Sequence, residues 1–235
     1  MADIEDPLFV LEEIPIRDSL IRKLELESVT GQSFKINDGI RSSNGFKSYL
    51  LTCDRSGNRS RQEKYSPDGK MIYEWVYDKR GKPLREIAYE ASGSINYRIE
   101  SIYNHDDYWK EKRVYLSGND IHYRIVADRD AKGRLREGVY YDSSGQRIRT
   151  DTYVHDERGR LAMVSMGHMG EWAYEYDEGD NLKKKTGLLP SASAFGDNFE
   201  FQYDGQGLLV RSNHLNYSIT VFEYTFFVSR ERDST

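Results

Sequence analysis

Cysteine, long apolar runs and an excess of positive charge are all missing from these 235 residues. The single thiol, Cys53, excludes an internal disulfide and any multi-cysteine zinc site. The longest purely apolar run is four residues, as in Leu8 to Leu11. A transmembrane helix needs about 20 apolar residues and a signal peptide needs its own apolar stretch, so neither is expected. Lys plus Arg is 34 and Asp plus Glu is 39, a net charge of −5. That balance argues against nonspecific nucleic-acid or membrane-surface binding, which needs a dominant positive field. Without an export signal and with one cysteine, the expected compartment is a reducing cytoplasm. What the chain does have is tyrosine: 18 Tyr beside 3 Trp and 9 Phe. A wholly disordered chain is poor in such residues, so a folded domain is expected.

The tyrosines belong to a repeat. An aromatic is followed by Asp, two variable residues and Gly, as in Tyr77-Asp78-Lys79-Arg80-Gly81 and Tyr141-Asp142-Ser143-Ser144-Gly145. Tyr65 to Gly69, Tyr89 to Gly93 and Tyr203 to Gly207 are further copies. Cys53-Asp54, Arg129-Asp130 and His155-Asp156 precede Gly57, Gly133 and Gly159 with the tyrosine replaced. In three more copies Asp107, Asn119 and Asp180 stand where the others have Gly. The steps between units are mostly 12 or 14 residues. Gly, Asn and Asp are the residues that tolerate positive φ, so the fifth position is expected to be a left-handed turn residue. The second-position Asp is expected to hydrogen-bond back into that turn.

Between turns lie seven or eight residues, the length of one strand. Ile95, Tyr97, Ile99 and Tyr103 share a parity opposite Asn96, Arg98 and Glu100. Trp172, Tyr174 and Tyr176 oppose Glu171 and Glu175, and Phe199, Phe201 and Tyr203 oppose Glu200 and Gln202. Such alternation marks strands with one buried and one wet face, and short loops make neighbours antiparallel. The expected fold is all-β: a single antiparallel meander of about ten to fourteen strands, curled or closed into a barrel. Aromatics would lie inside it and the Arg/Glu parity outside. The ring column itself would form a Tyr ladder beside the turns.

The expected organisation is a cap over residues 1–30 and a repeat-built sheet over 31–228. A loop near 186–198 and a flexible tail at 229–235 complete it. In the cap, Ile16, Leu20, Ile21 and Leu24 fit one face of a short helix with Asp18 as its cap. Leu24 and Leu26 fit the start of a strand equally well.

The Tyr-Asp-x-x-Gly phrase resembles the YD repeat of bacterial Rhs-like proteins. The best matches are Tyr77-Asp78…Gly81…Leu84, Tyr141-Asp142…Gly145, Tyr176-Asp177…Leu182 and Tyr203-Asp204…Gly207-Leu208. More distantly the chain is similar to MORN-like antitoxin-type repeats. The resemblance implies a hairpin-repeat sheet and a bacterial origin, and it brings no catalytic residue with it. The steps here are shorter than usual YD spacing, and the chain is too short to wrap a folded cargo.

Chemistry-bearing motifs are scarce. The histidines 105, 122, 155, 168 and 214 form no HExxH or close pair. Met166, His168 and Met169 offer soft-metal donors, but packing and turn formation account for them more simply. Asp128, Asp130, Asp177 and Asp180 offer calcium oxygens, yet the turn role already explains them, and the EF-hand pattern is absent. No Gly-x-Ser-x-Gly or phosphate loop occurs. The expectation is therefore a non-catalytic protein without cofactor or metal. It would recognise a protein partner, an immunity or antitoxin-like protein of a polymorphic toxin system being the sharper form. The alternative is a small-molecule or carbohydrate binder with a pocket inside a barrel, or a glycosidase-like enzyme, whose two carboxylates need not be close in sequence. The candidate partner-binding residues are the aromatics outside the repeat column, Tyr73, Trp75, Tyr97, Trp109, Tyr123, Trp172 and Tyr174, with Arg98 and Arg124.

Overall fold

Turn chemistry sets the architecture. In the computed structural model, which describes residues 18–37, 40–106, 108–188, 198–215 and 217–227, each repeat unit is a hairpin turn. At Asp78 the carbonyl accepts from the Gly81 amide at 2.9 Å, and the amide donates to the Lys82 carbonyl at 2.8 Å. One carboxylate oxygen of Asp78 accepts the Arg80 amide at 2.8 Å and the Lys82 amide at 3.0 Å. Asp54, Asp130, Asp142 and Asp204 repeat this arrangement. Gly57, Gly69, Gly81, Gly93, Gly133, Gly145, Gly159 and Gly207 all have φ between +72° and +88°, and Asp180 sits at +61°. Asn119 does not share the positive φ, so the expectation fails there. Asp107 lies outside the described residues.

The turns join strands β1 (Leu26–Asn37), β2 (Ile40–Arg41), β3 (Phe46–Cys53), β4 (Arg59–Tyr65), β5 (Met71–Tyr77) and β6 (Pro83–Tyr89). Then follow β7 (Ile95–Tyr103), β8 (Trp109–Tyr115), β9 (Ile121–Arg129), β10 (Leu135–Asp142), β11 (Arg147–His155) and β12 (Leu161–Ser165). A 3-10 turn (Gly167–Met169) leads to β13 (Glu171–Tyr176) and β14 (Leu182–Leu188). The chain ends in β15 (Asn198–Tyr203), β16 (Leu209–His214) and β17 (Ser218–Phe226). Every pairing is antiparallel, and β1 pairs with both β3 and β17. The two-residue β2 pairs only with the end of β1. Sixteen strands of the 17-stranded sheet therefore close into a barrel. The count exceeds ten to fourteen because β1 to β3 form without the turn motif. Thr186 to Leu188, expected in the long loop, extend β14, while 189–197 and 228–235 lie outside the described residues.

Helix α1 (Asp18–Lys23) precedes β1. Its Leu20 and Ile21 are buried with Leu26, Val29, Leu51, Cys53, Leu208 and Leu209. The barrel thus has a helix end, reached by the turns that follow β3, β5, β7 and the later odd strands up to β15, and an opposite end. Asp18 anchors α1 there through Arg59, 3.0 Å away on β4. A Cβ on Gly57 would come within 2.7 Å of the Arg22 Cα, so that turn is also the seat of the helix.

The column of tyrosines does not form one ladder. Nearly every hairpin carries a bulge beside the tyrosine, and successive turns lie at opposite ends of the barrel. At the helix end Tyr103, Tyr176 and Tyr203 point inward, and their hydroxyls donate to the carbonyls of Pro83, Leu161 and Leu182 at 2.7, 2.9 and 2.8 Å. Each ties the end of one strand to the beginning of the hairpin before it. At the opposite end the column turns outward. Tyr65 and Tyr89 donate to Glu63 and Glu74, while Arg98 and Arg124 lie over Tyr115 and Tyr141.

Candidate functional site: the barrel interior

Register assigns every strand residue to a wall. Gln62, Trp75, Glu86, Ile99 and Val114 are successive cross-strand partners, so their side chains share one face. That face is the interior: Trp75, Ile99, Val114 and Ile125 are buried. The other face carries Arg61 with Glu63 and Glu74, Arg98 with Glu100, and Arg113 with Glu111, all ion-paired on the outer wall. A lipid-facing barrel shows an apolar band on its outside, the reverse of this polarity.

All seven candidate aromatics lie on the inner face. Tyr73, Trp75, Tyr97 and Tyr123 line β5, β7 and β9, Trp109 opens β8, and Trp172 and Tyr174 line β13. Trp75 and Tyr97 are buried, whereas Tyr73, Trp109, Tyr123, Trp172 and Tyr174 keep partial exposure. Arg98 and Arg124 stand on the outer wall, stacked on outward tyrosines at 4.2 and 4.9 Å. The nine candidates are thus divided between two surfaces.

Inward rings with residual exposure line a space. Strands ~4.8 Å apart and tilted about 40° make a circular 16-stranded barrel roughly 30 Å across, while two facing layers of side chains fill about 10 Å. The main backbone contacts are those between hydrogen-bonded neighbours. Five of the seven inward rings keep partial exposure on this wall. Ala88, Tyr97, Ile99, Val114, Ile125 and Tyr140 form one buried stretch of it, with Tyr73, Trp109, Leu116 and Tyr123 packed against them.

Charged groups that the sequence reading passed over are set among the rings. Tyr140 donates to the fully buried Asp151 at 2.7 Å, and Arg149 lies 3.0 Å from the same carboxylate and 3.8 Å above the Tyr140 ring. Burial pushes the Asp151 carboxyl up against the lowering influence of Tyr140 and Arg149, and burial also lowers the Arg149 guanidinium. The Tyr123, Tyr140 and Tyr153 phenols are all pushed up, chiefly by burial. Lys112 pairs with Glu86 at 2.9 Å beneath Trp109. On β14, Lys185 lies 4.1 Å from the Trp172 ring centre and 5.6 Å from that of Phe199. Phe199 stacks on His214 at 4.3 Å, and His214 meets Tyr217 at 4.6 Å. Parity alone could have placed Lys185 with Tyr174, but only register shows that Lys185, Tyr174 and Phe199 are neighbours.

Among the described residues no three His, Cys, Asp or Glu side chains come together as a metal set. The Asp128/Asp130 and Asp177/Asp180 carboxylates serve turns and arginine pairs: Asp128 with Arg136, Asp130 with Arg134, and Asp180 with Arg158 and Arg160. The His168 side chain of the Met166/Met169 group lies outside the described residues. Cys53 is buried against α1, and its thiol is pushed up to about 11, mainly by burial.

No family model and no curated protein matches the chain, so the YD-type motif stands on its residues alone. Among solved structures, a porin-like protein from Bacteroides uniformis is similar over 85% of this chain and 98% of its own, at 6% identity and TM-score 0.42. A TcdB2-TccC3 structure is similar over 80% of this chain but only 12% of its own, at 12% identity and TM-score 0.27. A DUF1329 family protein from Desulfovibrio piger covers 88% of this chain and 89% of its own, at 12% identity and TM-score 0.18.

Proposed function

We propose that this is a non-catalytic binding protein that receives a small ligand inside its barrel. One observation carries the reading: the aromatics left over by the repeat converge on the interior, and five of the seven keep partial exposure there. Concave, ring-lined spaces with a few fixed polar groups are where small molecules bind. The polar outer wall fits an aqueous compartment, consistent with a cytoplasmic location.

All three tryptophans point inward, so their fluorescence reports on the lumen directly. A neutral aromatic probe, N-phenyl-1-naphthylamine, is expected to bind saturably with energy transfer from tryptophan. Tyr174→Ala and Trp109→Ala are expected to weaken it about tenfold, while Arg98→Ala and Arg124→Ala on the outer wall leave it unchanged. Absent binding, or binding indifferent to the inner variants, overturns the reading.

A second reading, recognition of a protein partner on the outer wall, is supported by the outward tyrosines Tyr65, Tyr89 and Tyr141 and by exposed Ile95 and Ile121, which are paired with Tyr89 and with Tyr115, the latter buried beneath Arg98. An immunity or antitoxin-like role is its sharper form and leans on the YD-type motif. Loss of a co-purifying protein in Tyr89→Ala, with probe binding intact, would favour it.

A further inference from the structure

We propose that α1 is a hinged lid over one end of the barrel and turns about Glu25; that its opening admits a ligand rests on the lumen reading above. The backbone marks the hinge. Glu25, between α1 and β1, has a φ of +50°, in the left-handed region that favours glycine. An L side chain held there stores strain, which opening of the junction releases. Beyond Glu25 the chain is fixed. Its carbonyl accepts the Phe227 amide at 2.9 Å, and Leu26 begins β1 opposite Phe226. Before Glu25 the backbone bonds are local: the Leu24 amide donates to the Leu20 carbonyl at 3.0 Å, and the Glu25 amide to the Arg22 carbonyl at 3.4 Å. A residue at the end of an element, anchored on one side, can absorb the backbone rotation of a rigid-body swing.

The lid is lightly held compared with the wall it covers. A helix of six residues does not persist alone, so its seat keeps it in place. Asp18, Ser19, Arg22 and Lys23 are exposed, and only Leu20 and Ile21 of α1 are buried. The Asp18–Arg59 pair has its carboxylate 54% exposed, which makes it a weak latch. The strands beneath are joined by continuous ladders, β1 to β3 and to β17. Local opening of α1 therefore costs less than loss of the barrel. Leu20 and Ile21 share a cluster with Cys53, against which Phe201, Tyr203, Phe222 and Tyr224 are partly buried. Lifting α1 uncovers the thiol and gives the rings behind it a mouth at this end.

The thiol reports the motion in the intact protein. Cys53 is labelled with a neutral maleimide at urea concentrations below the unfolding transition, and modification is followed by mass. Labelling is expected to be slow and to depend only weakly on urea, the mark of a local opening that exposes little surface. Glu25→Gly, which relieves the left-handed strain of the closed state, is expected to slow it about threefold. Glu25→Val, a β-branched residue at the same φ, is expected to quicken it about threefold. Circular dichroism checks the fold of both variants. The association rate of N-phenyl-1-naphthylamine is expected to change in the same directions with its affinity unchanged. Labelling that follows global unfolding, with its full urea dependence, overturns the hinge. Local opening with association rates indifferent to both substitutions overturns the gating and leaves the lumen reading intact. Failure of the probe to bind overturns the lumen reading and the gating together, while the labelling still decides the hinge.

Discussion

One position of the repeat does two different jobs, and the residues that replace tyrosine show which properties matter. At the helix end Tyr103, Tyr176 and Tyr203 reach inward to a backbone carbonyl of an earlier strand, and Tyr77 to the Gln62 side-chain oxygen. In Arg129, which stands where the motif has tyrosine, the guanidinium donates to the Trp109 carbonyl at 3.1 Å, as the Tyr103 hydroxyl does to Pro83. At these positions a terminal donor can replace the tyrosine hydroxyl, so the ring is secondary. Cys53 is the exception. It occupies the column where α1 covers the barrel, and there a small apolar group lets Leu20 and Ile21 close in. Burial raises its pKa to about 11, against Arg59, which lowers it. A raised value means that the native state holds the proton more tightly than the unfolded chain. Its contribution to stability is therefore complete below the ordinary thiol pKa of about 8.5 and is lost as pH rises through about 11. Cys53 is expected to resist an alkylating reagent at pH 8 in the native protein and to react fully in denaturant, which a mass measurement of the labelled chain reads directly. Rapid labelling of the folded protein would show that α1 does not stay seated.

At the scale of the element, the hairpin turn is the unit most legible in the sequence. Gly at the fifth position and Asp at the second are enough to expect a left-handed residue and a carboxylate bonded back to the turn amides. Eight glycines and Asp180 adopt that conformation. Asn119 escapes it where the motif keeps neither determinant, with Leu116 at the second position and Asn at the fifth; Gly69 and Gly93 show that Gly alone is enough without the Asp. What the motif could not convey is the bulge beside each tyrosine, which sends Tyr65 and Tyr77 to opposite faces although both open the same phrase. The turns also differ in what lies against them. Gly69 has open space where a Cβ would go, whereas Gly57 is in contact with the backbone of α1. Gly69→Ala is expected to cost about 1–2 kcal/mol, the left-handed penalty alone. Gly57→Ala adds a clash with Arg22 and is expected to cost roughly 1–3 kcal/mol more, measured by urea denaturation of the two variants side by side. Equal losses would mean that the helix does not rest on that turn.

For the whole molecule, closure is the decisive event. β1 pairs with β17 across almost the whole length of the chain, from Leu26 opposite Phe226 to Lys35 opposite Ser218. Without that pairing the sheet would present two bare edges, a template for association with other chains. A chain truncated after Tyr217, which lacks β17, is expected to self-associate or aggregate, whereas the full chain elutes as one species on size exclusion. A truncated chain that stays monomeric with an unchanged circular dichroism spectrum would show that the barrel does not depend on its seam. Closure also makes the interior. Sixteen strands give one shared inner face, and on it Tyr73, Trp109 and Trp172 keep partial exposure.

The sequence by itself determined the local rules: turn positions, the antiparallel meander, and which parity is aromatic and which is charged. These follow from φ preferences and period-two alternation, properties of residues a few positions apart. Tertiary structure alone decided the strand count, the split of the tyrosine column, and the meeting of Lys185 with Trp172 and of Arg149 with Asp151. Those facts depend on bulges and register, which shift side chains between walls and juxtapose distant strands. No local pattern encodes the closing pair of β1 and β17. The same closure changed the meaning of the leftover aromatics, from one candidate surface to the lining of an interior, with Arg98 and Arg124 left outside.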